Sequence, residues 1–316
     1  METNTIPAKD PLFVQFGPFE DIRKIIESKL FYPLFVTGLS GNGKTFMIEQ
    51  SCAHANRELI RVNITIETDE DDLLGGFRLI NDSTKWFDGP VIRAMKSGAV
   101  LLLDEVDLAS TKIMCLQPVL EGKGIFLKKI NQYIQPAKGF NIVATANTKG
   151  QGSESGKFIG TNIMNEAFLE RFPVTFEHNY PDSRVEEKIL NLVLEHEGIK
   201  DPAFVRALLD WAAQSRQNFY ADVSSEIITT RRLVHIVKAF SILKDKRKAI
   251  ELCISRFDSH NKQAFMELYE KFDESILDES VLRAKQLQQE ELEALKKKEE
   301  KRTNSLKDIF EQATSS

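Results

Sequence analysis

Gly38-Leu39-Ser40-Gly41-Asn42-Gly43-Lys44-Thr45 is the stretch from which the fold can be read. It satisfies G-x-x-x-x-G-K-[ST] at every fixed position, the pattern of a loop that cradles phosphates. Its flanks agree: residues 32–37 read as a buried strand entering the loop, and residues 46–56 as the helix leaving it. Consecutive backbone N–H groups in such a loop form an anion nest, and the helix N-terminus adds partial positive charge. Gly38, Gly41 and Gly43 allow close backbone approach and positive φ. Lys44 is expected to reach the β- and γ-phosphates of a nucleoside triphosphate, and Thr45 to place its hydroxyl on Mg²⁺. With Ser40, Asn42 and Phe46, these residues form the expected nucleotide contact.

Composition narrows the class. A chain of 316 residues, 42% hydrophobic and 28% charged, suits a globular nucleotide-binding core with a smaller appendage. A formal net charge of −5 and a pI near 5.7 weigh against tight, non-specific duplex binding by the free monomer. Cys52, Cys115 and Cys253 are far apart with no C-x-x-C, and read as reduced, buried small hydrophobes. The five histidines show no ligand spacing. No apolar run reaches membrane length and no basic-then-apolar leader opens the chain, so the expected location is cytoplasmic.

Ala99-Val100-Leu101-Leu102-Leu103-Asp104-Glu105 is the second decisive stretch. An unbroken apolar run of this kind suits a strand buried on both faces of a parallel sheet. Its carboxylates fall at the C-terminal end, where open α/β sheets hold their ligands. Asp104 is the expected Mg²⁺ ligand, acting through water, and Glu105 the group that polarises attacking water. Residues 140–147 form another buried strand ending in Asn147, which is placed to orient that water. Taken alone, Asn147 equally suits a strand-end turn.

The remaining chain is organised around these motifs. Residues 1–18 read as an extended arm, and residues 19–30 as an amphipathic helix. A strand is expected at 58–63. The acidic run 67–72 reads as a solvated helix start rather than a metal site. Hairpins are expected at 75–87 and 125–134, with helices at 89–97 and 112–121. The loop 148–162 holds Gly150, Gly152, Gly156 and Gly160, which marks it as a functional segment rather than core. A short helix at 165–171 and a fifth strand at 174–176 complete an α/β core with a parallel five-stranded sheet. Five helices follow between 182 and 271. The expected domains are an arm (1–18), a nucleotide-binding core (19–178), an all-α lid (179–275) and a charged tail (276–316).

The ordered motifs resemble the AAA+ P-loop ATPases, with Walker A at 38–45, Walker B at 101–105 and Asn147 at sensor 1. Within them the chain resembles the MoxR group, through the hairpin 75–86 and Asp88-Gly89-Pro90-Val91-Ile92-Arg93-Ala94-Met95. Ala146-Asn147-Thr148, the glycine-rich loop and the segment from Gly160 to Phe172 resemble CobS, the ATPase subunit of aerobic cobaltochelatase, and its CbbQ/NorQ-like relatives. The resemblance spans about residues 30–240. It implies a Mg²⁺-dependent ATPase that assembles into a homo-oligomeric ring, a hexamer, and remodels or activates a partner carrying a von Willebrand A-type module. It further implies that Arg171 is an arginine finger acting on the neighbouring subunit's γ-phosphate. A salt bridge to Glu166 or Glu170 is the plainer role for that side chain. Arg231 falls at sensor 2, with the adjacent Arg232 as its competitor. The Asp-x-Ser-x-Ser pattern and a tetrapyrrole-binding region are absent from the sequence, which weakens the metal-chelatase expectation. Two other function classes stay open: a nucleic-acid-associated motor, and a regulatory scaffold that binds ATP without turning it over.

Overall fold

The computed structural model describes residues 6–150, 152, 161–273 and 275. The tail 276–316, Gly156 and Gly160 lie outside the described residues. Among the described residues, the chain opens with an irregular segment and helix α1 (Phe19–Ser28), which ends where Lys29 turns left-handed. Strand β1 (Leu34–Thr37) runs into the phosphate loop and helix α2 (Lys44–His54), then strand β2 (Leu59–Asn63). The acidic run begins helix α3 (Glu70–Leu74): Asp69 accepts from the amides of Asp71 and Asp72, and Asp72 returns a bond to the Asp69 amide. That is a capping box. The first hairpin is β3 (Gly75–Ile80) with β4 (Ser83–Asp88). Helix α4 (Pro90–Ser97) has its proline in the first turn, where no N–H is required.

Strand β5 (Val100–Asp104) ends at the expected acid. Residues 112–121 are helical, although their first half is a 3₁₀ helix, Thr111–Leu116, before α5 (Gln117–Leu120). Pro118 explains the break, because it lacks the N–H that would bond back. The second hairpin is β6 (Ile125–Leu127) with β7 (Gln132–Ile134). Strand β8 (Asn141–Ala146), helix α6 (Glu166–Leu169) and strand β9 (Val174–Glu177) follow. The helical region comprises α7 (Ser183–His196), α8 (Pro202–Tyr220), α9 (Thr230–Leu243), α10 (Lys246–Cys253) and α11 (Ser259–Glu270). The chain divides into two compact units, one up to Ile242 and one from Leu243. The first contains the sheet with α7, α8 and all but the last residue of α9; the second contains α10 and α11.

Strands β1, β2, β5, β8 and β9 form one parallel sheet, in the order β2-β5-β8-β1-β9. Side chains alternate across a strand, and here both faces are buried. Leu34, Val36, Val100, Leu102 and Val143 join Phe19, Ile22, Met47 and Ile48 on the face covered by α1 and α2. Phe35, Leu101, Leu103, Ile142 and Ala144 join Val91, Ile92 and Met95 of α4 on the other. The continuous apolar runs in the sequence follow from this double burial. Cys52 is part of the first layer, but Cys115 and Cys253 are only half-buried, which corrects the expectation that all three cysteines are core residues.

Arg57 ties three segments beneath the sheet. Its guanidinium donates to the carbonyls of Ile26 (2.6 Å), Gly98 (3.0 Å) and Gly139. Replacement by methionine keeps bulk but leaves those acceptors without their donor. Arg57→Met is expected to cost about 3 kcal/mol or more of folding free energy, read as a lower denaturant midpoint at unchanged slope.

Candidate active site

The phosphate loop is shaped by what surrounds it. Gly38 has φ 151°, and a Cβ there would collide with the His178 carbonyl. Gly41 has φ 73°, and a Cβ there would lie 2.8 Å from Thr229. At the loop apex, Asn42 Nδ2 donates to the His178 carbonyl, while His178 Nε2 sits 3.2 Å from the Asn42 carbonyl. A carbonyl only accepts, so Nε2 carries the proton. The His178 amide donates to Thr37 at 2.8 Å, and Phe16 packs on the ring at 4.7 Å. Burial pushes the imidazole down to about 4, so it is neutral at pH 7.

Lys44 is buried, and its Nζ donates to Gly38 O (2.6 Å), Leu39 O (3.0 Å) and Asn147 Oδ1 (3.2 Å). Burial lowers its ammonium to about 8, against the opposing pull of the Asp107 and Asp104 carboxylates. Thr45 Oγ1 donates to Asp104 Oδ1 at 2.9 Å. Thr145 Oγ1 donates to the same oxygen, and Arg61 meets Oδ2 at 2.5 Å. Glu105 adopts a left-handed backbone, φ 59°, with its amide on Thr145 Oγ1 at 3.0 Å. A conformation of this kind costs on the order of 1 kcal/mol and persists where its surroundings over-determine it. Glu105 thereby shares one polar pocket with Lys44, Thr45, Asp104, Asn147 and Arg231.

Beside that pocket lies an apolar cavity of about 280 Å³, lined by Leu12, Phe13, Phe46, Ile189, Val193 and Val234. An apolar slot adjoining an anion nest fits a nucleobase carried on phosphates. The adjacent Thr45 hydroxyl and Asp104 carboxylate are hard oxygen donors of the kind Mg²⁺ takes. The arrangement can therefore hold a magnesium–nucleoside triphosphate with one exposed carboxylate, Glu105, beside the phosphates.

Residues 33–172 match the family model described as "AAA domain (dynein-related subfamily)". Over those residues the chain is similar to AAA domains. Among curated proteins, the chain is 25% identical to protein SH1500 of Staphylococcus haemolyticus over 245 residues, 73% of this chain and 86% of that one. It is 25% identical to SSP1341 of Staphylococcus saprophyticus over 257 residues, 78% and 91% of the two chains. Among solved structures it is similar to a RuvB point mutant from Thermotoga maritima, with TM-score 0.52, 13% identity, and 88% and 77% of the two chains covered. It is also similar to Brucella abortus NtrX in complex with ADP, with TM-score 0.51, 19% identity, and 74% and 52% covered. The fold is that of P-loop AAA domains.

The fold brings together most of the residues expected from sequence. Ser40, Gly41, Asn42, Gly43, Lys44 and Thr45 line the polar pocket, and Phe46 lines the apolar one. Arg231 lines both, with its backbone N–H on the Gly41 carbonyl at 3.0 Å. Arg171 does not line either pocket. It pairs with Glu121 at 2.9 Å and donates to the Ala167 carbonyl; neither Glu166 nor Glu170 is its partner there.

Several contributors escaped the sequence. Asp107 is fully buried, and its Oδ2 accepts from the amides of Asn147 (2.9 Å) and Thr148 (3.0 Å) and from Thr148 Oγ1 (3.2 Å). It seats Asn147 against Lys44. Thr145 and Arg61 reach Asp104 only because β2, β5 and β8 pair in register. The irregular segment 6–18 is a wall of the apolar cavity, held by the Asp10 amide on Gln50 Oε1 at 2.9 Å and by Phe13 against Phe46.

His178 gives the site a pH signature. An unfolded imidazole binds its proton near pH 6.5 and the folded one near 4. The unfolded state therefore holds more protons between those values, and stability falls as pH drops through the window. The loss expected by pH 4 is about 3 kcal/mol. Urea titrations from pH 7 to pH 4 should show that much less dependence in His178→Gln than in the native chain.

Proposed function

We propose that this AAA domain protein is the motor subunit of a homohexameric ring of the MoxR group, of CobS, CbbQ or NorQ type. Its role in this reading is to couple ATP hydrolysis to remodelling or activation of a partner protein complex. The observation that carries the proposal is the location of Arg171. It does not line its own subunit's phosphate pocket, and it is partly exposed and paired with Glu121, as suits a residue that serves a neighbouring site.

The roles then follow from charge and reach. Thr45 and Asp104 hold Mg²⁺, which neutralises phosphate charge. Glu105 takes the proton of the attacking water as its oxygen bonds to the γ-phosphorus, and Asn147 orients that water. The electron pair of the broken bond leaves on the β-phosphate, where Lys44 and the loop amides receive the charge. Arg171 from the adjacent subunit and Arg231 from within stabilise charge on the transferred group. The helical segment 179–275 acts as the lid.

The two hairpins are the proposed client contacts. Phe77, Leu79, Phe126 and Tyr133 are all about half exposed or more, and exposed apolar clusters of this sort favour protein contact. A cytoplasmic complex with a von Willebrand A-type protein is the partner this reading favours, with metal chelation as one possible output.

Arg171→Ala and Glu105→Gln are each expected to keep nucleotide binding and lose turnover by about a hundredfold or more. An equal mixture should recover hydrolysis, because some interfaces then pair an intact Glu105 with an intact Arg171. A mixture as inactive as its parents would defeat the finger assignment. Glu105→Gln loaded with ATP also serves as a trap: recovery of a von Willebrand A-type protein supports the remodelling role, and recovery of DNA or RNA replaces it with a nucleic-acid motor.

A further inference from the structure

Two arginines stand side by side at the start of α9. Adjacent helical residues point about 100° apart, so only one can face the phosphates. What fixes the choice lies outside the phosphate site. Glu186 on α7 is 2% exposed. It holds Arg216 of α8 through two bonds, Nη1 to Oε2 at 2.9 Å and Nη2 to Oε1 at 2.7 Å. The same Oε1 accepts from Thr230 Oγ1, on the first residue of α9, at 2.6 Å. Arg216 Nε donates to the Ile228 carbonyl at 3.1 Å, just ahead of that helix.

The other end of this cluster reaches the phosphate loop. The Arg216 guanidinium lies 4.3 Å from the centre of the Tyr180 ring, and the Tyr180 hydroxyl donates to the Ser40 carbonyl at 2.8 Å. Burial pushes the Tyr180 phenol upward, so it remains a donor at any working pH. The Arg231 amide donates to the Gly41 carbonyl at 3.0 Å. The start of α9 is therefore held at two points, by the Thr230 side chain on Glu186 and by the Arg231 backbone N–H on the loop, with Arg231 lining the phosphate pocket.

A buried ion pair is poor evidence for stability, since apolar residues of equal volume often do as well; its best-attested use is to specify one arrangement. We propose that Glu186, Arg216 and Tyr180 are positioning residues that set the roll of α9 against the phosphate loop, and so present Arg231 rather than Arg232 to the terminal phosphates of bound nucleotide. This inference rests on the role given to Arg231 above.

Removing Glu186 or Arg216 strands a buried charge and endangers folding, so the test uses gentler changes in the full chain with ATP and Mg²⁺. Thr230→Val and Tyr180→Phe each delete one hydroxyl, and Thr230→Ser restores the donor. The readouts are kcat, KM and the preference for ATP over ADP in equilibrium binding. Arg231→Ala is expected to lower kcat/KM on the order of tenfold and to blunt the ATP preference. Thr230→Val and Tyr180→Phe should each give a several-fold loss with the same blunting, and Thr230→Ser should recover both. The double variant Thr230→Val/Arg231→Ala should be no worse than Arg231→Ala alone, because both act through one side chain.

Native kinetics and ATP preference in both hydroxyl deletions overturn the inference, as does full additivity in the double variant. If Arg231→Ala is impaired while the deletions are silent, the positioning role alone falls. If Arg231→Ala is itself silent, the role given to Arg231 falls and the positioning role with it.

Discussion

The parallel register of β5 and β8 is the constraint on which the phosphate site depends. Leu103 pairs with Ala144, so the next residues, Asp104 and Thr145, emerge together at the C-terminal ends of their strands. Thr145 can then donate to Asp104 and accept from the Glu105 amide. One threonine thus fixes the Asp104 carboxylate and the left-handed backbone of the neighbouring Glu105. A one-residue slip would turn Thr145 to the opposite face and release both. The β1–β8 pairing adds Lys44, since the Gly38 amide bonds to the Ala146 carbonyl at 3.3 Å as the loop departs.

Around this register the protein buries several polar groups and provides each with specific partners. Arg57 has three carbonyls, Asp107 two amides and a hydroxyl, and Lys44 two carbonyls and an amide oxygen. Unpaired, such groups would cost several kcal/mol each. The arrangement has three loose ends: Asp107 Oδ1, Asn141 Nδ2 and His178 Nδ1 are buried with no partner among the described residues. Two of these residues back the phosphate site, Asp107 behind Asn147 and His178 behind Asn42. A buried carboxylate of this kind also raises the proton affinity of Lys44, which burial alone would drive lower.

The motifs were legible because they are local. A G-x-x-x-x-G-K-T loop, an apolar run closing on Asp104-Glu105, and turn residues between periodic segments carry their meaning within a dozen positions. The two hairpins and the parallel five-stranded sheet follow from the same local patterns. What escaped is non-local. Arg61 sits on an ordinary strand and becomes a partner of Asp104 only through the pairing of β2 with β5. His178 showed no ligand spacing, and its contribution is to hold a loop 136 residues away in sequence. The opening segment read as an arm, since nothing in three prolines announces that Phe13 will pack on Phe46. The partner of Arg171 is Glu121, fifty positions distant, beyond the reach of a helical-spacing argument.

Two ion pairs of this molecule differ in kind, and the distinction follows from exposure. Arg171 and Glu121 have partly exposed side chains, at 24% and 35%. Pairs of this kind are worth about 0–1 kcal/mol, because water competes for both charges. Either charge of such a pair can change partner at little cost. Glu186 and Arg216 are 3% and 12% exposed, and no comparable exchange is open to them without stranding a charge. The same chemistry, carboxylate against guanidinium, therefore serves opposite purposes in one chain: near water it keeps mobile charges in reserve, and in the interior it holds the helix bearing Arg231 in a single orientation.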